Sequence, residues 1–313
     1  MTENSSPSVT VALAAFNAVP FISRAVMSAL NQLDVSVEVI VVDDASTDDT
    51  VNFVESEFEA EPRVRVIKLS KNSGPAAARN AAFAEAKGRW VAVLDADDAF
   101  EPNHLKALIE LGESTSADMI AGNFAYFDVH RNEGAGIGLE RRTKTETLNK
   151  YSFVQGARPY TKEADFGLLK PLFRLSFLRS QKLNYPIDVR HGEDMELVLD
   201  ALLKGARYVL DRDLCTYLYT MRDSGHSRTP VNYGAQVKRT LSLADRADVR
   251  DDERLRTLLI ERADSLRLLE LNRNWMSKTM SRRKIVWSSL HDPAGRRWFL
   301  SRTIKKLFRR RSM

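Results

Sequence analysis

With 313 residues and 43% hydrophobic content, the chain can fill the core of one large α/β domain plus an appendage, or of two domains, which excludes a disordered or fibrous class. No run approaches 18 uninterrupted apolar residues and the opening "MTENSSPS" lacks the basic and apolar regions of a secretory signal, so a cytosolic protein without a spanning helix is expected. The net charge of +5 is unevenly placed: residues 282–313 hold eleven Lys or Arg against one acid, Asp292, which leaves the first 281 residues at −5.

The first hundred residues alternate strand and helix signals. "VTVAL" (9–13) and "VEVIVVDD" (37–44) are β-branched runs separated by a helical pattern from about Ala18 to Asn31. "STDDT" offers capping residues before a short helix near 50–57, and "VRVIKL" (64–69) reads as a third strand. "GPAAARNAAFAEAKG" then predicts a helix that starts at Pro75 and stops at Gly88, followed by the strand "WVAVLD". Alternation at this spacing predicts a mostly parallel sheet with helices on both faces.

Beyond Pro102 the spacing predicts a helix over 102–111, a strand over "MIAGNFAYF" (119–127) and a mobile-looking loop at "HRNEGAGIG" (130–138). Helices are predicted near 171–180 and 193–204, with short strands at 207–210 and 214–219. From Tyr233 onward the pattern is helical, in segments near 234–249, 251–273, 277–290 and 296–310. Cys215 is the only cysteine, which excludes an intramolecular disulfide and reads as a core residue.

Chemistry concentrates at strand ends. Asp43 and Asp44 end the second strand, and Asp95, Asp97 and Asp98 end the fourth. In an open α/β sheet, ligands bind outside the carboxyl ends of the strands, so two acidic clusters converge on one crevice. That much negative charge needs cations or donor groups to compensate it. A hard cation such as Mg²⁺ or Mn²⁺ with oxygen ligands answers the need, and it binds through one or two carboxylates plus substrate phosphates. A loop and helix-capping cluster is the competing reading for a "DADD" taken alone.

The order "VALAAFNAVPFISRAVMSALNQ…VEVIVVDDASTDDT…NSGPAAARNAAFAEAKGRWVAVLDADD", with the later "LLKPLFRLSFLRSQKLNYP…HGEDMELVLDALLKGARY", resembles the family 2 glycosyltransferases. These are inverting enzymes of the GT-A fold, and the second block looks most like the bacterial exopolysaccharide-assembly members. The resemblance covers residues 9 to about 228. It implies a GT-A catalytic domain over 1–230, with a nucleotide-sugar half about 1–128 and an acceptor half about 129–230, followed by a basic helical region over 231–313.

The resemblance also implies roles. Asp44 matches the position that accepts from the nucleotide base, and a carboxylate there favours N3–H of uracil or thymine, with guanine N1–H also fitting. Phe16 and Asn17 stand where the first strand's exit meets the nucleotide, but Ala14 and Ala15 replace a usual Pro nearby. Arg79, one turn inside its helix, is placed to reach the ribose or diphosphate. Asp95 and Asp97 form a D-x-D, with Asp97 the direct Mn²⁺ or Mg²⁺ ligand and Asp95 on the ribose or on metal-bound water. In "RHGEDMEL" (190–197), Asp194 matches the general base and Glu193 an acceptor-binding residue. "TMRDSGHSR" (220–228) lies where the family closes over the diphosphate, making Arg222 and Arg228 nucleotide-sugar candidates and His226 a metal candidate.

Processive relatives carry Q-x-x-R-W and spanning helices, whereas the nearest string here is "QVKRT" (236–240), so transfer of a single sugar is expected. The predicted partners are a nucleotide diphosphate sugar and a glycan or polyprenyl-linked glycan acceptor. In "RRWFLSRTIKKLFRRRSM" (296–313) a stripe of Leu300, Ile304, Leu307 and Phe308 faces away from Lys and Arg. Such a helix lies in a membrane interface on anionic lipid, at the inner face of the cell membrane, or packs on the catalytic domain. The rest of the chain is acidic and lacks a recognition motif, so nucleic acid is not expected as a partner. A sugar nucleotidyltransferase is disfavoured because "LAAFNAVPF" has no Gly or basic residue for a phosphate loop, and a non-catalytic scaffold because Asp44, Asp97 and Asp194 are intact.

Overall fold

The computed structural model describes residues 7–129, 131, 133–142, 145–159, 163–221 and 232–277. The candidates Arg222, His226 and Arg228, the helices predicted near 277–290 and 296–310, and the 296–313 stripe lie outside them.

The described residues of Met1–Lys150 and Gly167–Arg228 form one compact unit, and those of Tyr151–Phe166 and Thr229–Met313 a second. Compared with a cut at 230, the segment 151–166 groups with the helical region.

The first unit begins as the alternation predicts: β1 (Val9–Ala15), α1 (Ile22–Leu30), β2 (Val37–Asp43), α2 (Thr50–Glu57), β3 (Val64–Lys68), α3 (Pro75–Glu85) and β4 (Trp90–Asp95). β3, β2, β1 and β4 are neighbours in that order, all parallel. β1 is central, and Val9, Val11, Ala12 and Leu13 are fully buried, as a strand covered on both faces requires. Registration of Ala15 with Asp43 and of Ala14 with Asp95 brings the acidic ends of β2 and β4 to one edge of the sheet.

After β5 (Ala99–Phe100) and α4 (His104–Thr115) the sheet becomes mixed. β6 (Met119–Asp128) is followed in the chain by β7 (Glu133–Ile137), β8 (Glu146–Leu148), α5 (Lys150–Gly156), β9 (Leu172–Arg174), α6 (Leu175–Ser180), α7 (Glu193–Leu203) and β10 (Tyr208–Met221). β9 sits antiparallel between β4 and β6, β10 runs parallel to β6, and β5, β7 and β8 pair antiparallel on β10, β6 and β10.

Four sequence expectations change here. The loop expected at 130–138 contains β7, whose two glycines and exposed positions hide it from a hydrophobic reading. The helix expected near 171–180 opens as the three-residue β9 before α6 begins. The two strands expected at 207–210 and 214–219 are one, β10, with register shifts between Asp211 and Tyr217 where buried Arg212 turns to Glu146 at 2.8 Å. Cys215 is half-buried rather than a core residue, its thiol turned to the Arg212 carbonyl.

In the second unit, α8 (Tyr233–Ala244) starts where the Asn232 side chain accepts from the Ala235 N–H, a conventional N-cap. It packs on α9 (Glu253–Ser277) around Val237, Ala263 and Leu266. Buried Arg262 of α9 donates to the Ala157 carbonyl at 2.6 Å, and Tyr151 donates to Asp252 at 2.9 Å, which ties 151–166 to this unit. No helix among the described residues is long and apolar enough to cross a membrane.

Candidate active site

The site is built at the carboxyl edge of β4 by two helix starts. α3 and α7 each begin after a glycine with positive φ, Gly74 at 87° and Gly192 at 94°, a region any side chain would strain. α3 delivers Arg79 one turn inside the helix, and the first turn of α7 delivers Glu193 and Asp194, acids that also suit the positive end of that helix.

Four of the side chains close a ring of alternating charge. Arg79 donates to Asp95 Oδ1 at 2.6 Å and to Asp194 Oδ1 at 3.1 Å. The Lys170 ammonium lies 2.8 Å from Asp194 Oδ2 and 3.1 Å from Asp95 Oδ2. Both oxygens of both aspartates therefore meet a cation. Glu193 joins from outside, accepting from Arg79 at 3.2 Å.

Arg79 is 4% exposed and lies over the Tyr185 ring at 5.2 Å. Asn80 holds Tyr185 there by a reciprocal pair of backbone bonds of 2.8 and 2.9 Å.

Charge decides the protonation of this group. Burial works against Asp95, but Lys170 and Arg79 outweigh it and hold its carboxyl well below the usual range. Burial likewise opposes the Lys170 ammonium, and Asp194 and Asp95 raise it above its ordinary value. Glu193 goes the other way: burial and the neighbouring Asp194 push it up against the pull of Arg79.

Asp44 is compensated differently. It is 4% exposed, and its two oxygens accept from the backbone N–H of Ser73 at 2.6 Å and of Gly74 at 2.8 Å. Its carbonyl also accepts from Asn72. The carboxylate thus anchors the loop into α3 and keeps two of its roughly four lone-pair positions for another donor. Asn17, at φ 50°, clamps the β2–α2 loop by accepting from the Thr47 N–H at 2.8 Å, and Phe16 beside it is 41% exposed.

The turn after β4 separates the remaining acids. Asp98 is buried, accepting from Tyr217 Oη at 2.7 Å and the Thr220 N–H at 2.8 Å, so it fastens β10 to the turn. Burial first, then the charges of Asp97 and Asp95, push its carboxyl well above the usual value. Arg24 from α1 donates to the Asp97 carbonyl at 2.8 Å and to Thr220 Oγ1. Asp97 stays half-buried at the tip.

This donor set fits a divalent cation in one form. The described residues contain no cluster of three or more His, Cys, Asp or Glu that could hold a metal. Asp95, Asp97 and Asp98 nevertheless crowd three carboxyl groups into one turn, and a Mg²⁺-type site uses one or two carboxylates with substrate phosphates. Asp97, half-buried two residues from Asp95, would be the carboxylate for such a cation, and Asp95 would have to exchange a cation contact to join it.

The structure therefore gathers Arg79, Asp95, Glu193 and Asp194, sets Asp97 two residues from Asp95, and places Asp44, Asn17 and Phe16 at the same sheet edge. Lys170, Tyr185, Arg24 and Tyr217 are given no role by the sequence. "LLKPLF" gives Lys170 one faint signal, an ammonium flanked by apolar residues that is too buried to be solvated.

Comparison with known proteins bears on the family and the fold. The family model described as Glycosyl transferase family 2 matches residues 10–169. The succinoglycan biosynthesis protein ExoO of Rhizobium meliloti (strain 1021) is 37% identical over 225 residues, 71% of this chain and 63% of ExoO, so the chain spans under two thirds of that relative's length. The same organism's succinoglycan biosynthesis protein ExoU is 36% identical over 250 residues, 79% of this chain and 71% of ExoU. Among solved structures, S. aureus TarS 1-349 in complex with UDP-GlcNAc superposes with a TM-score of 0.66 over 80% of this chain and 71% of that one, at 22% identity. A parallel β3-β2-β1-β4 half, acids at its carboxyl edge and these matches together identify the chain as a member of glycosyl transferase family 2 with the GT-A fold.

Proposed function

We propose that the protein transfers one sugar from a UDP-sugar to a hydroxyl of a glycan or lipid-linked glycan, with inversion, in the building of a surface polysaccharide. The observation that carries this reading is the charge ring, because it ties the donor-side Asp95 to Asp194, the matched base position, in one rigid group. The relatives named for succinoglycan biosynthesis support the polysaccharide assignment, and the UDP-GlcNAc complex of TarS supports the donor class.

In this reading Asp194 takes the acceptor's hydroxyl proton as the acceptor oxygen bonds to the anomeric carbon. The bond from that carbon to the diphosphate breaks on the opposite face, and UDP leaves with the electron pair. Asp44 keeps lone pairs for the uracil N3–H while fixing the loop that starts α3. Glu193, held uncharged more readily than an exposed carboxyl, offers a hydrogen bond to the acceptor. Asp97 would hold Mn²⁺ or Mg²⁺, which when bound neutralises charge on the departing diphosphate.

The test is a donor screen with UDP-, dTDP- and GDP-sugars and Mn²⁺, read as donor hydrolysis, which needs no acceptor. Turnover of a UDP-sugar, with loss of its Mn²⁺ dependence in Asp97→Asn, is the expected result. Hydrolysis of none of them ends the proposal. The basic amphipathic sequence 296–313 supports a peripheral contact with anionic lipid near lipid-linked acceptors. Deleting it should release the protein from anionic vesicles while sparing donor hydrolysis; continued binding assigns the contact elsewhere.

A further inference from the structure

Lys170 precedes Pro171 and β9, and its side chain is 7% exposed. A residue before proline is held near extended backbone, which fixes the direction from which the side chain leaves the chain. Its ammonium then reaches both aspartates of the ring.

An aspartate's last torsion is broad, so one contact leaves the carboxylate free to swing. Arg79 touches Asp194 through Oδ1 alone, and Lys170 supplies the contact to Oδ2 that fixes the carboxylate plane. A compact ammonium with three donors suits this corner, where a planar guanidinium already occupies the other side. Each oxygen keeps a further lone pair, so the clamped carboxylate can still receive a proton.

We propose that Lys170 is a positioning residue for the transfer step, clamping Asp194 in the orientation in which it accepts the acceptor's proton and tying it to Asp95 on the donor side. The proposal rests on the reading of Asp194 as the base.

Lys170→Met preserves the aliphatic stem and removes the charge. With the UDP-sugar that wild type hydrolyses fastest, its kcat should fall about 10²-fold, the scale of a roughly 1 Å misplacement. Donor KM should stay within about threefold, because Asp95 retains Arg79. In an Asp194→Asn background the same change should cost less than about threefold, since residues acting as a unit are not additive.

Wild-type kcat in Lys170→Met, or an undiminished loss in the Asp194→Asn background, overturns the proposal. A crystal structure supplies a readout free of turnover: the Asp194 carboxylate should leave its present orientation in Lys170→Met, or in Lys170→Gln if the Met variant does not fold. An unmoved Asp194 overturns the clamp even if the donor screen finds no substrate, which separates its failure from that of the functional reading.

Discussion

Asp44 and Asp194 are both withdrawn from water at the same edge of the same sheet, yet they are compensated by different means. Asp44 is met by two backbone N–H groups, whose positions are set by the fold and cannot be exchanged without moving the loop. Asp194 is met by two side-chain cations, each shared with Asp95. Backbone donors make a carboxylate into a fixed anchor. Shared cations orient it through side chains, one on each oxygen, and leave each oxygen a further lone pair for an incoming proton.

The comparison breaks most readily at Arg79. Arg79→Met leaves Asp95 and Asp194 with Lys170 alone and removes the Arg79 contact to Glu193, so it should cost about 3–5 kcal/mol, the scale for removing one partner of a buried ion pair. Denaturant unfolding measures this, and a variant within ~1 kcal/mol of wild type would show that the ring is not holding buried charge.

A smaller effect is expected at the anchor. Asp44→Ala orphans the two N–H groups and should cost about 1–3 kcal/mol, with Asp44→Asn, which keeps one acceptor oxygen, losing about half as much. Adding 0.5 M NaCl should leave both Asp44 penalties unchanged, because they come from hydrogen bonds to the backbone and not from ion pairs. A clear salt dependence would erase the distinction drawn above.

The smallest effect sharpens the contrast with a buried group that has no cation to offset. His104, at the start of α4, meets Thr216 Oγ1 at 2.8 Å and stacks on Phe100, and burial pushes it down to about 3. Its folded value lies below its unfolded one, so its stability contribution is whole above pH ~6.5 and drains away as the pH falls toward 3. Between pH 7 and pH 6 the loss should be roughly 0.7 kcal/mol, and His104→Phe should flatten it. An equal slope in the variant would show that His104 is not the group that titrates over this range.

The half of the sheet that reads cleanly from sequence is β1 to β4, where uninterrupted β-branched runs are punctuated by Gly74–Pro75 and Gly88. β9 has three residues and β5 two, too short for any period to show. β7 carries glycines in place of an apolar face, and Arg212 breaks the pattern of β10 because its partner Glu146 lies 66 residues away in sequence. At the site, Asp95, Asp194 and Arg79 are visible because each stands in a motif. Lys170 lies in the quoted "LLKPLF" block without a role assigned to it, and its importance arises only when the chain's return through β9 brings it beside β4.

The ring has one consequence at a distance. Two positive and two negative charges placed alternately have neither net charge nor an appreciable dipole, so their combined field falls off much faster than that of a single ion. An approaching diphosphate is neither drawn in nor turned away by these four groups until it is within contact range. Long-range capture of the donor must then come from other charges on the molecule, and the ring acts only on a donor already bound.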